Sequence, residues 1–147
     1  MIIDFQLQQN NLKQYIDNNY QKHLDKILID KFTTVTDFLD FDKYKQDFIV
    51  NIDFDNITFP TGNFNDDCSI LERLIVNIFL VHRNNSPDKL NEKMLTSSAA
   101  FYELLQDMES DNLFFDISIN RIDFFKYIEG TTNIMASRFV LQIDIEI

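Results

Sequence analysis

A chain of 147 residues, 45% hydrophobic and carrying fifteen Phe but no Trp, is sized for one domain around one core, which excludes a wholly disordered polymer. Thirteen Lys and Arg stand against twenty-four Asp and Glu, so the formal net charge of −11 repels phosphate backbones and anionic lipid heads and disfavours specific nucleic-acid binding. The one cysteine, Cys68, rules out an internal disulfide and fits a reducing compartment.

In chain order, Met1-Ile2-Ile3-Asp4 lacks the basic start and apolar core of a signal peptide, and a soluble, unexported protein is expected. Asp4 is suited to cap a helix, and Leu12, Ile16, Tyr20, Leu24 and Ile27 recur at helical spacing, predicting one amphipathic helix over residues 4–30 with Asn10-Asn11 as its weak point. From Phe32 to Tyr44 the pattern is divided: Val35, Phe38 and Leu39 suit a helix, whereas Thr33 to Thr36 favour extended backbone. Phe48, Val50, Ile52 and Phe54 alternate with Ile49, Asn51, Asp53 and Asp55 as in a half-buried strand, which Pro60 and Gly62 then end.

Ser69 to Arg83 carries both periods. Ile70, Leu71, Leu74, Ile75, Ile78 and Phe79 fit a helix, but Leu74, Val76, Ile78 and Leu80 fit a strand whose other face is also apolar, and the β-branched second half favours a central strand. Its longest apolar run, Leu74 to Val81, is broken by Asn77 and is far short of the ~20 residues that span a bilayer. Asn84-Asn85-Ser86-Pro87 opens a helix over 87–109 with Ser86 as cap and an apolar stripe of Leu90, Met94, Ser97, Phe101, Leu104, Leu105 and Met108. Leu113, Phe115, Ile117 and Ile119 alternate with polar residues, and the parity switch at Ile122 and Phe124 predicts a bulge near Arg121. Glu129 to Asn133 turns the chain into a last strand, Met135 to Ile147. There Phe139, Leu141, Ile143, Ile145 and Ile147 face a core, while Arg138, Gln142, Asp144 and Glu146 face water.

Motifs with a mechanism are missing from this order. With Gly62 and Gly130 the sole glycines, phosphate-cradling loops are excluded. His23, His82 and Cys68 are scattered without zinc-ligand spacing, His82 reading as the polar tip of a strand and Cys68 as a thiol without an activating base. Asn51, Asp53 and Asp55 on one strand face offer oxygens of the kind that bind calcium or magnesium, but a solvated sheet face is the reading favoured for them. Asp144 and Glu146 form a similar pair on the last strand. No catalytic, cofactor-binding or metal-binding residue is assigned, no cofactor is expected, and turnover chemistry is not expected.

The alternating strand Phe48 to Phe54 with its polar loop, the strand ending Ile75-Val76-Asn77-Ile78-Phe79-Leu80-Val81, the helix opening Ser86-Pro87-Asp88-Lys89-Leu90 and the closing strands ending Val140-Leu141-Gln142-Ile143-Asp144-Ile145-Glu146-Ile147 together resemble the tail terminator proteins of long-tailed bacteriophages, also called minor tail or tail completion proteins. The resemblance covers roughly residues 46–147 of a single domain, and residues 1–45 are a helical N-terminal region that departs from it. It implies an α+β fold, a mainly antiparallel sheet of four to five strands with helices packed on one face. It further implies a ring, usually a hexamer, that caps the tail tube, stops polymerisation and offers a face to the head. The partners would be other copies of the chain, the tail tube protein and a head–tail connector, with DNA passing through the lumen without specific binding and no membrane involved. The location would be the virion tail, or the host cytoplasm during assembly. The loops Asn56 to Asp67 and Asn84 to Ser86 are the expected partner contacts. Another head–tail joining protein, or a small ligand-binding α+β domain with a pocket between helices and sheet, is the alternative.

Overall fold

The computed structural model describes residues 4–27, 29, 31–37, 47–58, 71–84, 87–114 and 116–146. They form helix α1 (Phe5–Asp25), strands β1 (Thr33–Val35), β2 (Phe48–Thr58) and β3 (Leu71–Asn84), helix α2 (Leu90–Ser110), and strands β4 (Asp116–Glu129) and β5 (Thr132–Glu146). The fold is α+β: one five-stranded sheet in the order β1-β2-β3-β5-β4, with β1 parallel to β2 and every other neighbouring pair antiparallel. Because α2 carries the chain from β3 to β4 across the position of β5, the alternating last strand is sandwiched between two partners and both rows of its backbone groups are paired.

At the N-terminus the Leu7 amide donates to the Asp4 carboxylate at 3.0 Å, and the helix runs through Asn10 and Asn11 without a break. Leu12, Ile16, Tyr20 and Leu24 are fully buried, but the helix stops at Asp25 rather than at residue 30. Both Ile27 and Ile29 donate their amides to the Leu24 carbonyl, at 3.1 Å each. This turn sends Ile29 into the core and leaves Ile27, placed by spacing on the apolar stripe, at the surface.

Within the divided stretch 32–44, Thr33 to Val35 is extended, and residues 38–44 lie outside the described residues. The β1 strand is short and is held by a side chain: Asn51 of β2 donates its amide to the carbonyls of Val35 (3.1 Å) and Asp37 (3.0 Å). Replacing Asn51 by Ala leaves both carbonyls short of a donor at a buried site, and we expect a loss of about 1 to 3 kcal/mol in urea denaturation. Faster amide exchange around Thr33 to Val35 should accompany it, whereas unchanged stability and exchange would mean that the strand is held by its ladder alone.

Strand β2 runs past Phe54 to Thr58 through a bulge between Phe54 and Asn56, so Asn56 to Thr58 belong to the sheet rather than to a loop. Residues 59–70 and the end of the second expected loop, Asn85 and Ser86, lie outside the described residues. Strand β3 is central, as its double apolar pattern predicts: Leu74, Val76, Ile78 and Leu80 are buried towards the helices. A second, smaller cluster on the reverse face joins Val35, Ile49, Val81, Ile134 and Ala136, with Phe79 packed against it. The start of β2 is therefore buried on both faces, not half-wet.

The helix after Pro87 begins later than its sequence signature suggests. Pro87 to Lys89 form a 3₁₀ turn, and α2 starts at Leu90 with no side-chain cap bond from Lys89. Its stripe is buried as spaced, with Phe101 edge-on to both Tyr20 of α1 (5.2 Å) and Phe139 of β5 (5.0 Å). The predicted bulge lies between Ile119 and Arg121. Gly130 has φ +61° in the two-residue turn between Glu129 and Thr132, while Thr131 does not, the pattern of a type II′ hairpin. On β5, Phe139, Leu141 and Ile143 are fully buried, and Ile147 lies outside the described residues. Asp144, expected in water, is 6% exposed because Arg73 covers it with two hydrogen bonds of 2.9 and 3.2 Å.

Candidate assembly surface

Strand β4 is an edge: fourteen residues long, it pairs with β5 on one side and presents its other row of N–H and C=O groups outward. Edge strands of that length are a template for pairing with another chain unless shortened or covered. Past the bulge the strand outruns its helical cover and exposes apolar side chains on both faces, with Lys126 among them on the helix side and Asp123 and Glu129 on the reverse. Phe124 is 50% exposed and Ile128 71% on the helix side, with Phe125 and Tyr127 exposed on the reverse. Across from it, Leu95 and Tyr102 of α2 are also exposed, and with Ala99, Ile122 and Phe124 they line a shallow groove of about 520 Å³. Contiguous apolar exposure of this kind marks a contact surface.

Charged groups organise the reverse side of the same strand. Arg138 of β5 donates to the Asp123 carboxylate at 2.6 Å and Arg121 donates to it at 3.0 Å, and these bonds hold the Asp123 pKa below the usual carboxylate value. The Arg138 guanidinium also lies 5.1 Å above the Phe125 ring, so one arginine orients both an acid and an aromatic on the edge strand.

A second concave feature lies at the end of the sheet where β3 meets the start of β2. It is a cavity of about 370 Å³ with an apolar floor that includes Phe48 and Leu90. Among the described residues, Lys31, Arg83, Lys93 and the acid Asp47 line it. His82 also faces it, and is no polar tip: it is 2% exposed, stacked on Phe48 with centroids 4.0 Å apart, and its Nε2 lies 2.8 Å from the Ser97 hydroxyl. Burial, followed by the nearby charge of Lys93, pushes its pKa down to about 3, so the ring is neutral at physiological pH. The Ser97 carbonyl in turn accepts from the Tyr20 hydroxyl at 2.7 Å, which ties α1 to this polar chain.

The other residues weighed as chemical candidates are apart from one another. His23 lies between the helices, 2.9 Å from Asp107 and 3.4 Å from Glu103. Cys68 lies outside the described residues. Asn51, Asp53 and Asp55 do not converge on an ion: the Asn51 amide holds β1, and Asp55 is the extra residue of the bulge. Asp144 is held by Arg73. Among the described residues, no three His, Cys, Asp or Glu side chains are grouped to hold a metal ion, and no helix is long and apolar enough to cross a membrane. Sequence reasoning missed the cavity beside His82, although one signal was present: His82 shares the parity of Leu74 to Leu80 and so belongs to the helix-facing row. It also missed Glu72, which is fully buried with no partner for either carboxylate oxygen among the described residues, and whose pKa burial raises. No family model matches the chain, and no curated protein matches it.

Proposed function

We propose that this chain is a structural subunit of a phage or prophage tail, a terminator that closes into a ring on the tail tube, stops its growth and presents a face for head joining. The observation that carries this reading is β4, a long edge strand whose second half exposes apolar side chains on both faces. The order β2, β3, α2, β4, β5 supports it, being the order of the pieces that resemble the terminator family. A tube of stacked rings has no intrinsic end, because each ring exposes the surface that the next one binds; termination needs a subunit that matches the tube on one side only. Such a subunit joins its neighbours head to tail, through two different patches that close by rotation, and a sheet with edges at β1 and β4 offers two different patches. A strongly acidic ring lets DNA slide through its lumen rather than adhere. The role requires no catalytic group and no cofactor.

Deletion of the gene should leave filled heads and unattached tails, some running past normal length in electron micrographs. Normal virions in the deletion strain would remove the reading. Tails of correct length that merely fail to attach would shift it to a head–tail joining protein.

A further inference from the structure

We infer that two copies of this chain join β4 to β4, antiparallel and about a two-fold axis at Phe125, so that their sheets become one. The pattern of the strand beyond its bulge, from Arg121 to Glu129, selects this occupant. Glu129 and Thr132 close a two-residue hairpin as a hydrogen-bonded pair, so the odd-numbered residues of this segment use their N–H and C=O groups on β5. Ile122, Phe124, Lys126 and Ile128 turn theirs outward, where a further strand can take them up. Residues directly opposite in an antiparallel pair share a face, and two identical segments overlap along their whole length when the midpoint, Phe125, lies opposite itself.

In that register both rows are self-complementary. On the reverse face Arg121 meets Glu129 of the second copy, twice by symmetry, and Phe125 meets Phe125 of the second copy. Arg121 donates to Asp123 within one copy, but Asp123 keeps both bonds from Arg138 when Arg121 turns to the new carboxylate. On the helix side Phe124 meets Lys126, a cation set beside a ring, and Ile122 meets Ile128. Ile128 is 71% exposed, the most of the large apolar side chains described. The register lays it against Ile122, at the groove that Leu95, Tyr102 and Phe124 also line, so the most exposed apolar group of each copy covers the apolar groove of the other. No like charges stand opposite one another. Moving the axis by one residue loses the match: at Lys126 it sets Lys126 against itself and Asp123 against Glu129, and at Phe124 it sets Arg121 against Tyr127 and carries Glu129 beyond the bulge. The contact is isologous. It goes beyond the tail reading, in which β4 meets a neighbour in the ring: the dimer is the form of the chain away from the tube, with the strand that the ring needs covered.

The test uses the full chain in a Cys68→Ser background. Phe125→Cys should give a disulfide-linked dimer on mild oxidation, because opposite residues that are not a hydrogen-bonded pair have Cα atoms about 4.5 Å apart, within disulfide reach. Ile128→Cys, as exposed but opposite Ile122, should not link. In sedimentation velocity the unlinked chain should dimerise with concentration. Arg121→Glu and Glu129→Arg should each weaken the dimer roughly ten-fold, since two ion pairs become two like-charge pairs, with melting of the dilute chain within a few degrees of unchanged because both side chains are exposed. The double variant should regain the original association, and an equimolar mixture of the two single variants should form the heterodimer. A chain that stays monomeric to millimolar concentration would overturn the contact, as would linkage of Phe125→Cys no faster than that of Ile128→Cys, or a double variant no tighter than the single ones. The dimer fails separately from the tail role: six-membered rings from a chain whose Phe125→Cys variant never links overturn this contact alone, whereas a dimer of this register in a chain whose deletion leaves virions normal overturns the tail role alone.

Discussion

Ile143→Asp should give a chain without cooperative unfolding or near-ultraviolet dichroism, while Gln142→Asp, one residue earlier, should melt within a few degrees of the wild type. Ile143 is fully buried on the helix side of β5, with Leu74 of β3 and Ile117 of β4 as its neighbours across the sheet. Removing it forfeits about 1.5 to 3 kcal/mol of burial, and the carboxylate put in its place has no partner and adds several kcal/mol more. Against a total stability on the order of 5 to 15 kcal/mol, that loss is enough to unfold the domain. Gln142 points to the reverse face between Ile75 and Ser118 and is part-exposed, so a carboxylate there keeps its water and should cost about 1 kcal/mol or less. Equal melting temperatures for the two variants would mean that the faces of β5 are assigned the wrong way round.

Acid should weaken the fold through His82, and replacing His82 by Leu should remove that sensitivity. In the folded chain the ring has a pKa of about 3, against an ordinary value near 6.5 when unfolded. Below about pH 6.5 the unfolded chain therefore takes up a proton that the folded chain refuses. The stabilisation is complete above pH 6.5 and is lost progressively as pH falls towards 3, at roughly 1 to 1.5 kcal/mol per pH unit. Burial is the main cause of the refusal, and the nearby charge of Lys93 reinforces it. Leu at this position keeps an apolar face against Phe48, and the Ser97 hydroxyl keeps the Met94 carbonyl as an acceptor at 3.2 Å. The informative quantity is the stability difference between wild type and variant, because the many carboxylates titrate alike in both. Between pH 6.5 and 5 the wild type should lose about 2 kcal/mol more than the variant in urea denaturation. A pH-independent difference would show that the ring accepts its proton in place.

Periodicity carried far in this chain, and it failed at identifiable points. Leu74 to Leu80 and Phe139 to Ile143 were legible as core rows because a strand facing helices repeats every second residue, and α2's stripe because a helix repeats at 3.6. The bulge at Arg121 was legible because one extra residue flips parity. In the same way, the wrong placements have physical causes. Asp144 looked wet until Arg73, seventy-one residues away, came to cover it. Ile49 looked half-exposed until β1, β3 and β5 built a second cluster with it on the reverse face.

The sequence by itself determined the two long helices, the four long strands, most of the inward rows and the hairpin turn, but not β1, because local spacing, a glycine that tolerates positive φ and the cost of exposing apolar side chains act within each element. Tertiary structure alone decided the strand order, which made β5 an inner strand and β4 an edge, because order depends on which partners a crossing helix brings together. It alone also gathered Lys31, Arg83 and Lys93 around the Phe48–His82 stack, since residues scattered along the chain share a cavity only after the sheet and helix that carry them have packed.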